Sequence, residues 1–249
     1  MRGVDMRSLM LTTSLILAAL VSLAACSSLT DAEKNYKAAV EFQEQGKLQE
    51  AIDEYGKVLE LDPGFVDAYS NRGAVYTDLG EYQKAVQDYD QAIQLNPSNE
   101  KAYFNRGNLH ADLGKPDLAL GDYSQAIRIA PLTPDYHHRR ANVHARLGQK
   151  ESALQDYGES IRLDPSIAAV FIDRGKYKGN LNQHQQALDD FTEAIRLDAE
   201  NREAFALRSV GNAHVGNDDA AQQDMDRAVA LGYPQSFLED TIQQIKDRR

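Results

Sequence analysis

Of the six histidines in this 249-residue chain, His137, His138 and His144 lie close enough in sequence to suggest metal ligands, and Cys26 is its one cysteine. On a helix, neighbouring side chains diverge and ligands meet at spacings of three or four. His137 and His138 therefore point apart, and the six-residue step to His144 does not chelate. His110 and His144 stand 34 residues apart, in one column of a sequence period, as packing positions do. A single cysteine excludes an internal disulfide framework and any multi-cysteine metal site. No Gly-rich phosphate loop, nucleophile elbow or paired-carboxylate constellation stands out. The expectation is a non-enzymatic protein with no cofactor and no metal.

Composition points the same way. With 42% hydrophobic and 26% charged residues the main body is globular rather than disordered. The formal net charge of -11 makes nucleic acid an unfavourable partner, because an acidic surface is repelled where a phosphate binder gains counterion release.

The elements that would position any site repeat. From Ala32 to Gln235 the sequence is self-similar every 34 residues without insertion or deletion. Pro63, Pro97, Pro131 and Pro165 form one column. Gly46, Gly80, Gly114, Gly148, Asn182 and Gly216 form a second, and Ala51, Ala85, Ala119, Ala153, Ala187 and Ala221 a third. An aromatic column, Tyr55, Tyr89, Tyr123, Tyr157 and Phe191, lapses at Met225. Stretches such as 68–79 and 82–95 carry apolar residues at helical spacing, so each unit predicts two helices. Glycine or asparagine ends the first helix with a positive φ, and proline stops the second. Alanine allows the pair to approach closely, and the aromatic ring fills the space between units, which must stack to bury their apolar faces.

These columns resemble those of the tetratricopeptide repeat, over residues 32–235. The resemblance implies an all-α fold, a right-handed α-solenoid of six helix-turn-helix units. Residues 236–249 follow, where Phe237, Leu238, Ile242 and Ile245 make a one-sided apolar stripe on a helix ending in Lys246, Arg248 and Arg249. That segment reads as a cap over the last open face, its cations on the negative end of the helix dipole; a partner-docking helix is the alternative.

One pair of columns departs from the family's pattern. Arg72, Arg106, Arg140, Arg174 and Arg208 recur on the first helix, and Asp88, Asp122, Asp156, Asp190 and Asp224 on the second. In the first unit both change together, to Ala38 and Glu54. The joint change predicts an Arg–Asp pair inside each unit; a row of ligand-binding arginines is the rival reading.

The N-terminus predicts an address. Arg2 and Arg7 precede an apolar stretch from Leu9 to Ala25, the pattern of a secretory leader at 1–25, with Met6 an alternative start. Leu23-Ala24-Ala25-Cys26 resembles a bacterial lipoprotein signal, which implies acylation of Cys26 and a lipid anchor on a membrane, with 26–31 as a short tether. Ser27 and Ser28 where inner-membrane retention would place Asp favour the periplasmic face of an outer membrane if there are two membranes, otherwise the outer face of the plasma membrane.

In the family the first helices line a concave groove that binds a peptide segment of a partner. The matching positions here hold Asn71 and Asn105 in one row, Asn108 and Asn142 in the next, with Lys101, Arg139 and Lys176 alongside. An asparagine amide can bridge the C=O and N–H of an extended chain. The rival reading is a solvated polar face. Residues 26–97 carry a net -8 and residues 128–178 a net +3, so complementarity favours a partner with acidic residues near the later stretch. The chaperone-binding clamp of some family members is matched at two of five positions, and does not carry over. The function expected is a lipid-anchored adaptor of the cell envelope, supporting assembly of a complex by binding a partner protein. Self-association into a homo-oligomeric scaffold is the alternative.

Overall fold

The structure is a computed structural model and describes residues 29–248; Cys26 and the leader lie outside the described residues. Thirteen helices and no strand are found among them. In chain order they are α1 (Asp31–Glu44), α2 (Leu48–Leu61), α3 (Val66–Asp78), α4 (Tyr82–Leu95), α5 (Glu100–Asp112), α6 (Pro116–Ile129), α7 (Pro134–Arg146), α8 (Lys150–Leu163), α9 (Ala168–Asn180), α10 (His184–Leu197), α11 (Arg202–His214), α12 (Asp218–Ala230) and α13 (Gln235–Lys246). They gather in two compact units, one ending at Pro97 and one beginning at Ser98.

The local signals act as their chemistry dictates. Thr30 caps α1 through a reciprocal box with Glu33: the Glu33 N–H donates to Thr30 Oγ1, and the Thr30 N–H donates to Glu33 Oε2 at 2.7 Å. Pro116 and Pro134 occupy the first turns of α6 and α7, where an absent N–H costs nothing. At the end of α9 the chain turns through Asn182 at φ 59°, the same left-handed turn that Gly148 makes at φ 69° after α7.

In the first unit α1 packs on α2, α2 on α3 and α3 on α4. Its core is Ala39, Ala51, Tyr55, Val58, Ala68 and Val75, all fully buried. The second unit repeats the arrangement from α5 to α12. Helix pairs come close enough that Gly175 faces the Phe191 ring: a Cβ at Gly175 would stand 2.6 Å from Phe191 Cε1. Gly107 meets Tyr123 in the same way, at 2.9 Å. α13 lays Leu238 and Ile242 on Ala206, Ala213, Met225 and Ala228, burying both and closing that end of the core.

Candidate functional site

Each repeated arginine turns inward to an aspartate sixteen residues on. Arg72 donates from Nε and Nη2 to the two oxygens of Asp88, both at 2.8 Å. Arg140 does the same to Asp156 at 2.7 and 2.8 Å, and Arg106, Arg174 and Arg208 repeat the fork on Asp122, Asp190 and Asp224. These are bidentate pairs on nearly buried carboxylates, so the arginine column is structural and not a row of ligand binders. In the first repeat Glu54 pairs instead with Lys57, at 2.6 Å.

A second donor reaches most of the same acids. His110 Nδ1 lies 3.0 Å from Asp122 Oδ2, Lys178 Nζ 2.8 Å from Asp190, and Asn212 Nδ2 3.1 Å from Asp224. His144 Nε2 stands 3.8 Å from Asp156, and His137 Nδ1 3.5 Å from it. Burial pushes the Asp156 carboxyl up, but the Arg140 fork and the neighbouring His137 outweigh it and hold the group below the usual carboxylate range. Asp156 in turn raises His137, against burial, with the Pro131 carbonyl adding to the rise. The histidines thus serve the buried acids, and no cluster of three or more metal-ligating side chains exists among the described residues.

The asparagines are partly committed as well. The Tyr123 hydroxyl donates to Asn108 Oδ1 at 2.7 Å, and the Tyr157 hydroxyl to Asn142 Oδ1 at 2.5 Å. Asn142 Nδ2 donates to Asp173 Oδ2 at 3.1 Å, on the oxygen that His138 Nε2 approaches at 2.8 Å. Asn142 is therefore a brace with both ends occupied, whereas Asn108 is tied through Oδ1 alone. In the first unit, Asn71 Nδ2 donates to the Tyr36 hydroxyl at 2.9 Å.

Within the second unit an open cavity of ≈ 680 Å³ lies across α5, α7 and α9. Of the residues expected to form a groove, Asn108, Arg139, Asn142 and Lys176 line it together; Lys101 and Asn105, on α5, are not in its lining. Asp112, Arg146, Asp173, Tyr177 and Asn180 complete its polar wall. Sequence reasoning did not select Asp112, Asp173, Tyr177 or Asn180, although Asp173 falls in the column of Asn105 and Arg139 and Asn180 in that of Arg146. Arg139 pairs loosely with Asp135, at 3.4 Å with both side chains about half exposed, and Lys176 pairs with Glu203.

Family models for tetratricopeptide repeats match residues 39–80, 75–114, 100–131 and 134–167. The chain is a tetratricopeptide repeat protein. A model for anaphase-promoting complex subunit 5 matches a further stretch of this repeat protein, residues 171–215. No curated protein sequence matches it. Among solved structures it is similar to PilW, a widely conserved type IV pilus biogenesis factor, at 19% identity and TM-score 0.73 over 88% of this chain and 99% of that one. It is also similar to YrrB, a repeat protein with an unusual peptide-binding site, at 22% identity and TM-score 0.62 over 74% and 94% of the two chains. A tetratricopeptide repeat protein from Parabacteroides merdae aligns over 94% of both chains at 20% identity and TM-score 0.62. At these identities the likeness is one of fold. Tetratricopeptide repeats build protein-interaction scaffolds and are generally non-enzymatic, and the matching families are not catalytic ones.

Proposed function

We propose that this tetratricopeptide repeat protein is an adaptor of a bacterial cell envelope, held on a membrane by lipid at Cys26, that binds an extended segment of a partner protein in the α5–α7–α9 cavity and so supports assembly of an envelope complex. The observation that carries the binding reading is the cavity itself. It brings amide, guanidinium, ammonium and carboxylate groups onto one face of three successive first helices. Neighbouring helices pack about 10 Å apart, so the lining reaches roughly 20 Å, the span of about six residues of an extended chain. The anchor rests on Leu23-Ala24-Ala25-Cys26 and its apolar leader. The role of PilW in type IV pilus biogenesis favours an envelope process of that kind.

A photo-crosslinking residue at Asn180, on the cavity wall, is compared in intact cells with one at the exposed Gln155 of α8. A partner captured from position 180 and not from 155 supports the reading, and equal capture from both refutes it. Cys26→Ser tests the anchor through acyl labelling and membrane partition. The exposed Phe237 on α13, at 63%, favours self-association as the second reading, which light scattering across a concentration series decides.

A further inference from the structure

Three cations line the cavity, and they differ in what already holds them. Arg139 has Asp135, and Lys176 has Glu203. Arg146, exposed at the end of α7, makes no ion pair among the described residues. The two carboxylates of the lining differ also. Asp173 is held by His138 and Asn142: burial pushes its carboxyl up, and these two bonds with Lys176 nearby bring it below the ordinary range. Asp112 stands at the far side, on α5. The charge therefore runs from negative at α5 to positive at α7, while Lys176 and Asp173 offset each other on α9.

A hydroxyl points to the same ligand chemistry. Tyr177, on α9, is 8% exposed, and its hydroxyl has no hydrogen-bond partner among the described residues. A buried donor left unpaired is costly, and a carboxylate oxygen is the strongest acceptor a peptide offers it. Tyr123 and Tyr157, which line the cavity beside it, already spend their hydroxyls on Asn108 and Asn142. One unpaired guanidinium and one unpaired buried hydroxyl in one cavity call for an anionic acceptor.

We infer that the cavity selects an acidic peptide segment, seating the carboxylate of an internal Asp or Glu on Arg146 and the Tyr177 hydroxyl, with Arg139 alongside. This rests on the peptide-binding reading and adds the chemistry of the occupant. The carboxylate belongs to a side chain and not to a chain end, because the lining is long enough for residues on both sides of it. A basic residue about three positions away, some 10 Å along an extended chain, faces Asp112.

The test is a positional library of decapeptides, acetylated and amidated so that side chains supply the only carboxylates, incubated with the full chain in detergent. The expected result is enrichment of Asp and Glu at central positions, with the best acidic peptide binding at least tenfold more tightly than its Asn/Gln isostere. Arg146→Gln abolishes that preference and leaves isostere affinity and melting temperature unchanged. Tyr177→Phe weakens the acidic peptide several-fold at unchanged stability, since no internal bond is lost. Peptides that bind equally well with Asp or Asn overturn the acidic seat and spare the groove. So does a preference that survives Arg146→Gln. No binding by any member up to millimolar concentration overturns the seat and the peptide groove together.

Discussion

The Tyr157 hydroxyl donates to Asn142 Oδ1 at 2.5 Å, and the same fifteen-residue tie joins Tyr123 to Asn108 at 2.7 Å. One repeat later the ring is Phe191, which has no hydroxyl, and the matching position is Lys176, which has no acceptor and pairs with Glu203 instead. In the earlier repeats the matching positions are Val40 and Ala74, and the tyrosine hydroxyls turn elsewhere: Tyr55 donates to Gln43 Oε1 at 2.8 Å and Tyr89 meets Thr77 Oγ1 at 3.3 Å.

Asn142→Ala leaves the Tyr157 hydroxyl without its acceptor and removes one donor from Asp173, so it should cost ~1–3 kcal/mol in chemical denaturation. Tyr157→Phe added to it should cost less than the two single changes summed, because the second change no longer breaks a bond. Strict additivity would show the tie to be unimportant.

Arg72→Ala should destabilise more than Arg106→Ala. Each leaves a nearly buried aspartate without its fork, a loss of up to ~3–5 kcal/mol for a fully buried pair. After the second change His110 Nδ1 remains 3.0 Å from Asp122, whereas Asp88 has hydrogen bonds from Arg72 alone among those described. Equal or reversed losses in urea titrations of the two variants would refute the role given to the second donor.

Two glycine substitutions should move stability in opposite directions. Gly175→Ala places a methyl 2.6 Å from Phe191 Cε1 and should cost ~1–3 kcal/mol by overpacking. Gly121→Ala, on the exposed side of α6 with nothing within 4 Å, should stabilise by up to ~1 kcal/mol through helix propensity. Differential scanning calorimetry on both variants reads the signs directly.

The ordinary imidazole value of 6.5 is raised at His137, chiefly by Asp156. A raised value in the folded state means the native chain holds the proton more tightly than the unfolded one. The stabilisation is therefore complete below pH 6.5 and is lost as pH climbs through the raised value. Melting temperature should fall more steeply above pH 6.5 in the natural chain than in His137→Gln. Parallel profiles would remove His137 as the group responsible.

Much of the architecture was legible because one sequence contains its own alignment. The proline, glycine and alanine columns mark where helices end, and the joint replacement at Ala38 and Glu54 is enough to link the arginine and aspartate columns. The second donor was harder to see. Its column changes chemical type along the repeats, from His110 and His144 to Lys178 and then Asn212, and only the shared acid explains the set. The site was legible in part. Position on the first helix put Asn108, Arg139, Asn142 and Lys176 on one wall, but could not say which amides the tyrosines consume, because that tie crosses between helices. Tyr177 was missed because its column holds Val75, Leu109 and Val143 elsewhere and so reads as core.

The arginine fork closes within a single helix pair, since Arg140 and Asp156 belong to α7 and α8 and neither needs a neighbouring repeat to be neutralised. A copy of residues 134–167 carries its own counter-ion wherever it is spliced. Gain or loss of a whole 34-residue block leaves none of the forked aspartates bare, whereas a joint between repeats, such as Asp173 held by His138 and Asn142 of the preceding one, has to be matched anew.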